Sequence, residues 1–152
     1  MILILARHAE RGGHEDSLTP LGIQQAKALG HKLKSSIWCP APLALLSSPK
    51  ERSVQTAEEL AVVLGVSLKV TPALDEARSY ESVEAFCQRV ESFLIEIKAA
   101  PPAAVVVLVS HSDWLETAGY ELLRSRPDLR WAQAGAHVIE IAGDTATHLA
   151  QL

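Results

Sequence analysis

The chain has 152 residues, enough for one domain spanning 1–152 with a substantial core, and its 48% hydrophobic and 21% charged content is ordinary for a globular protein. A net charge of −4 gives no general attraction to nucleic acid or to an anionic membrane. The start is apolar without a basic stretch, unlike a secretory signal, and the longest apolar run, 103–109, is too short to cross a bilayer. Cys39 and Cys87 make neither a metal spacing nor a redox motif, so they read as incidental thiols of a cytoplasmic protein.

Residues 1–6 are almost wholly apolar, as suits a strand buried on both faces of a parallel sheet. Arg7 and His8 follow at its carboxyl end, where open α/β sheets bind ligands. Residues 11–18 are polar and contain Gly12-Gly13, a loop in which His14 is expected to be solvated. Thr19-Pro20 supplies an N-cap and a first helical residue, and Ala26, Leu29, Gly30 and Leu33 make one apolar face of a helix to about Ser35. His31 lies on this helix and should be solvated. The prolines in 39–42 break the pattern before a short buried strand at 43–46.

Ser48 and Glu51 fit a capping box, with Pro49 at the first helical position, and Val54, Ala57, Leu60, Ala61 and Leu64 recur at helical spacing until Gly65. Arg52 then falls in the first turn, on the same sheet edge as Arg7 and His8 if the two strands are parallel. A third strand is expected at 66–70, and residues 73–79 form a connection carrying Glu76. Residues 81–98 are an amphipathic helix, with Val83, Phe86, Val90, Phe93, Leu94 and Ile97 on one face. The run 103–109 reads as a central strand ending at Ser110-His111-Ser112, and a helix follows from about 112 to 124. Two tail strands, 137–141 and 145–149, flank a Gly143-Asp144 turn and carry His137 and His148, expected to be structural. Strands alternating with helices predict a three-layer α/β/α sandwich with a mostly parallel sheet and an antiparallel edge strand.

Three strand ends thus bring Arg7-His8, Arg52 and His111 to one rim. Guanidinium groups grip phosphate oxygens through a bidentate fork, and a neutral imidazole nitrogen can attack phosphorus. Neighbouring cations favour the neutral imidazole, because like charges lower a histidine pKa. Phosphoryl transfer mainly needs positioning and positive charge on the equatorial oxygens, which arginines and a second histidine can supply without a metal or other cofactor. Trp38, Trp114 and Trp131 read as packing residues, with Trp114 a candidate wall of the pocket because it follows His111 closely.

The blocks at 5–9, 18–22, 47–57, 74–76 and 109–112 (Leu-Ala-Arg-His-Ala, Leu-Thr-Pro-Leu-Gly, Ser-Ser-Pro-Lys-Glu-Arg-Ser-Val-Gln-Thr-Ala, Leu-Asp-Glu and Val-Ser-His-Ser) occur in the order found in the histidine phosphatase superfamily, also called phosphoglycerate-mutase-like. The sequence resembles that superfamily over most of its length. Its small size and minimal insertions look like the SixA-type branch, whose members remove phosphate from phosphohistidine. The resemblance implies His8 as the nucleophile, Arg7 and Arg52 as the phosphate clamp, and His111 as the residue that completes the pocket and stabilises the transition state. Glu76 stands where larger members keep the acid for the leaving oxygen. It reads alternatively as a surface carboxylate paired with Arg78, and Glu10 is a second candidate acid. Two departures stand out. Ala9 replaces the glycine usual after the nucleophile, which matters if that residue needs a positive φ angle. The Gly-Trp-Glu-Gly-like run after Glu76 is also missing, and small members can lack a clear acid there.

The expected activity is that of a metal-independent phosphatase working through a phosphohistidine on His8, on a phosphorylated protein or a small phosphorylated metabolite. Two other functions fit the residues: a non-catalytic phosphate-binding module for a phosphorylated partner, and a phosphomutase, which would need a lid the short chain has little room to build. No nucleic-acid or membrane partner is expected, and the sequence leaves the oligomeric state open.

Overall fold

The computed structural model describes residues 1–38, 43–124 and 128–152. The expected proline break and Cys39 lie outside the described residues. The elements in chain order are β1 (Ile2–Arg7), α1 (Pro20–Ser35), β2 (Leu43–Ser47), α2 (Glu51–Leu64), β3 (Leu68–Val70), a 3-10 turn at Pro72–Leu74, α3 (Val83–Ala99), β4 (Val105–Ser110), α4 (Ser112–Leu123), β5 (Ala136–Ala142) and β6 (Thr145–Gln151).

The sheet order is β3-β2-β4-β1-β5-β6. The first four strands run parallel, β5 is antiparallel to β1, and β6 returns antiparallel to β5 as the outer strand. Successive strand side chains point to opposite faces, and here both faces are covered. Leu3, Leu5, Leu46, Val106 and Leu108 pack with Phe86, Val90 and Leu94 of α3 and Trp114 and Leu115 of α4. Ile4, Ala6, Leu45, Val105 and Val107 pack with Leu29 and Leu33 of α1 and Ala57 and Leu60 of α2. All six residues of β4 are buried, which explains the unbroken apolar run in its sequence. The three-layer sandwich, the mostly parallel sheet and the antiparallel turn-back at one edge agree with the expectation. No helix among the described residues is long and apolar enough to cross a membrane.

Several boundaries differ for identifiable reasons. α2 begins at Glu51 behind Lys50, which makes no side-chain cap, rather than behind Ser48. The Ser48 hydroxyl is instead engaged with His111. β3 starts at Leu68 because the Gly65 and Val66 amides both fold back onto the Ala61 carbonyl to close α2. α3 starts at Val83 with Ser82 as N-cap, its hydroxyl accepting from the Ala85 amide. Thr19 caps α1 through the Gly22 amide at 3.0 Å, with Pro20 at the first position, as expected.

Candidate active site

Strand register brings the site together. Arg7 lies opposite Ser110 and Ser47 opposite Val109, so β1, β2 and β4 end at one level. The chain leaves each strand while still paired: the His8 amide donates to the Ser110 carbonyl and the Ser48 amide to the Val109 carbonyl. His8, Arg52 and His111 therefore meet above the carboxyl edge, at 6%, 6% and 3% exposure.

Arg52 is the hub. Its Nε donates to His8 Nε2 at 3.2 Å and its Nη2 to His111 Nδ1 at 3.1 Å. The same Nη2 donates to Glu76 Oε2 at 2.5 Å, and Nη1 pairs with Asp16 Oδ1. These donors fix the histidine tautomers. His8 Nδ1 lies 2.8 Å from the Ala9 carbonyl, which can only accept, so the proton sits on Nδ1 and Nε2 carries the lone pair. In His111 the lone pair is on Nδ1, and Nε2–H donates to Ser48 Oγ at 2.8 Å. The two rings stand 5.3 Å apart, tilted by 54°. Burial, and after it the charges of Arg52 and Arg7, bring the His8 pKa down to about 4 against the bond to the Ala9 carbonyl, which raises it. Burial followed by Arg52 brings His111 down to about 3. Both rings are neutral at pH 7.

Arg7 donates through Nη1 to the Trp131 carbonyl at 2.7 Å, and its buried Nε has no partner among the described residues. An unpaired buried donor costs about 1–3 kcal/mol, so an anion oxygen placed there would be favoured. Glu76 stands at the rim, with Oε2 3.8 Å from His111 Nδ1 and Oε1 3.5 Å from Lys50 Nζ. Arg78 pairs with Asp75 rather than with Glu76. Glu10 is turned elsewhere: its Oε1 accepts from the Thr19 hydroxyl at 2.9 Å, at the head of α1. Trp114 does not wall the pocket. It is fully buried beneath the site, and its Nε1 donates to the Ala73 carbonyl at 2.9 Å. Ala9 is not among the positive-φ residues and packs in a small cluster with Leu18 and Ala26, so the absent glycine is not needed there. His14 is exposed, while His137 is buried and its Nδ1 lies 3.0 Å from His148 Nε2.

Three site contacts were not foreseen from sequence. Asp16 reaches Arg52 because the loop after His8 folds back on itself: Arg11 bridges Leu18 and the Gly12 amide donates to the Ser17 carbonyl. No local pattern marks one acid in a polar loop as the one that turns inward. The Thr56 hydroxyl accepts from the Ala9 amide at 2.9 Å and donates to the Arg52 carbonyl at 2.7 Å, tying the backbone after the nucleophile to the helix that carries the clamp. Thr56 was legible as part of the 47–57 block. Ser48 was read as a cap instead of as a support for His111.

A lone-pair nitrogen beside the Arg52 guanidinium at the carboxyl edge of a parallel sheet defines a centre for phosphoryl chemistry. The model of the histidine phosphatase superfamily (branch 1) matches residues 3–79, and the chain belongs to that family. Its enzyme class is phosphatase. Among solved structures, the α-ribazole phosphatase of Shigella flexneri superposes with a TM-score of 0.80 at 24% identity, covering 98% of this chain and 95% of that one. The protein histidine phosphatase SixA, complexed with tungstate, gives 0.81 at 20% identity over 100% and 96% of the two chains. A phosphoserine phosphatase of Entamoeba histolytica, in complex with 3-phosphoglyceric acid, gives 0.78 at 19% identity over 99% and 95%. At these identities the likeness is one of fold. A comparison with curated proteins finds no match.

Proposed function

We propose that the protein is a metal-independent phosphatase of the SixA-like kind, acting in the cytoplasm, in which His8 carries the phosphoryl group. The observation that carries this reading is the state of His8: its proton is committed to the Ala9 carbonyl, and its Nε2 lone pair stands beside the Arg52 guanidinium. Nε2 attacks phosphorus as the bond to the leaving atom breaks. Arg7 and Arg52 hold the equatorial oxygens, and His111 completes the pocket and stabilises the transition state through the Arg52 guanidinium that its Nδ1 holds in place. Glu76, in the protonated form that each turnover restores, gives its proton to the leaving oxygen. In the second half, Glu76 takes a proton from water as its oxygen bonds to phosphorus and the phosphorus–nitrogen bond breaks. The substrate is a phosphohistidine protein or a small phosphomonoester. An imidazole leaving group would depend least on the acid.

The test is His8→Ala, assayed with p-nitrophenyl phosphate. We expect turnover to fall by at least about 10³-fold, as when a covalent nucleophile is removed, and brief exposure of the parent protein to a labelled phosphodonor to leave acid-labile, base-stable label on His8. Undiminished turnover in the variant would remove the nucleophile assignment. Phosphate binding without label would instead favour a non-catalytic module.

A further inference from the structure

Arg89 lies two turns into α3, behind the cup, and touches none of the residues that would meet phosphate. A guanidinium has five N–H donors, and Arg89 makes three bonds to carbonyls of the segment carrying Glu76 and two to the Glu81 carboxylate. Nη1 donates to the Ala73 carbonyl at 3.1 Å and the Asp75 carbonyl at 2.9 Å. Nη2 donates to the Glu76 carbonyl at 3.1 Å and to Glu81 Oε2 at 2.8 Å, and Nε donates to Glu81 Oε1 at 2.8 Å. The guanidinium carbon sits 5.2 Å over the Phe86 ring.

The rest of the segment is held as closely. Ser110 Oγ donates to the Leu74 carbonyl at 2.7 Å, Trp114 Nε1 to the Ala73 carbonyl, and the Ala77 amide to Asp113 Oδ2 at 2.8 Å. A connection of one 3-10 turn followed by irregular chain, which would ordinarily be mobile, thus has the carbonyls of Ala73 to Glu76 fixed by side chains from α3, β4 and α4. Only beyond Glu76 does the chain open, around a recess of about 460 Å³ that includes Lys50, Arg78 and Tyr80, the last 83% exposed.

We propose that Arg89 is a positioning residue for the phosphatase reaction: its clamp with Glu81 fixes the Ala73–Glu76 backbone and so sets where the protonated Glu76 carboxyl meets the leaving atom. This rests on the reading of Glu76 as the acid. The rigidity falls where chemistry needs it, because misplacing a reacting group by about 1 Å can cost about 10²-fold in rate. The recess on the open side of Glu76 is then where the leaving group lies.

The test is Arg89→Lys in the full chain. A lysine ammonium cannot span a carboxylate and three carbonyls at once. Turnover is measured at pH 7 on p-nitrophenyl, phenyl and alkyl phosphates, beside Glu76→Gln and the double variant. We expect the loss in Arg89→Lys to grow as the leaving group worsens, reaching about 10²-fold on the alkyl ester. The Glu76→Gln profile should have the same slope, and the double variant should be no worse than Glu76→Gln alone. An equal loss across the series, or losses that multiply in the double variant, would overturn the proposal. A flat profile for Glu76→Gln would overturn it at its base, by removing Glu76 as acid while leaving the His8 chemistry intact. Glu81→Gln keeps the carbonyl bonds of Arg89 and loosens only its anchor. It should give the same pattern with smaller amplitude, and it serves if Arg89→Lys fails to fold.

Discussion

The chemistry of the cup turns on where single protons sit. His8 and His111 both contact Arg52, and each ring has its proton directed to an oxygen on the far side from that guanidinium. Burial raises the cost of charging either ring, and the guanidinium raises it further, so His8 lies at about 4 and His111 at about 3. A lowered histidine pKa means the ring stays neutral until the pH falls that far, so the nucleophile persists through the range in which an ordinary histidine would be lost. In labelled protein, the imidazole nitrogen shifts of His8 should therefore move with a midpoint near pH 4, with His111 following below it. The rings are close enough for the two steps to belong to the pair. The acid limb of kcat/KM, corrected for titration of the substrate phosphate, should fall in the same place. A midpoint near the ordinary 6.5 would mean that the lone pair is not protected as the geometry requires.

Elements act by holding these residues at fixed heights. α1 contributes no side chain to the cup, yet its close approach matters. A Cβ at Gly22 would lie 2.0 Å from the Glu10 carbonyl oxygen, just past the nucleophile, and that carbonyl accepts from the Thr19 amide. Gly22→Ala would push helix and loop apart, at a cost of about 1–3 kcal/mol. Urea unfolding should show the lower midpoint and turnover should drop with it. Gly13→Ala, where nothing lies within 4 Å, should leave both close to the parent values. Local patterns made much of this legible. Thr19-Pro20 marked the start of α1, the apolar run at 103–109 marked a central strand, and the ends of three strands announced the polar residues of the cup. Contacts between side chains far apart in sequence were less legible. Ser48 satisfied a capping pattern as well as a true cap does, but the fold gives its hydroxyl to His111, 63 residues away. Asp16 and Arg89 belong to segments whose sequence shows only a polar loop and a charged helix face. Their roles follow from how the 11–18 loop folds back and how α3 packs under the Glu76 connection.

For the molecule as a whole, assembling the cup has a consequence for stability. The sheet places two imidazoles where they stay neutral, and the β5–β6 turn-back buries a third, His137, whose pKa is lowered by burial and by His148 against the Arg130 carbonyl bond that raises it. In the unfolded chain these rings titrate near 6.5. Below that pH the unfolded state binds protons that the native state does not, so the free energy of unfolding falls as pH falls. The stability these histidines contribute is fully present above about pH 6.5 and is lost progressively down to the native values, about 4 for His8 and about 3 for His111. Each proton taken up on unfolding tilts the stability curve by about 1.4 kcal/mol per pH unit. Carboxylates act mainly lower down: Glu81, held to about 2 by its bond to Arg89, keeps its contribution until the pH passes below the ordinary carboxylate range. Urea midpoints measured from pH 7 to pH 4.5 should therefore fall steadily, before acid groups dominate. His8→Ala should flatten the slope by about one proton's worth, because the ring that resists charging is gone. Constant midpoints across that interval, or an unchanged slope in His8→Ala, would mean that the rings are free to charge in the folded protein.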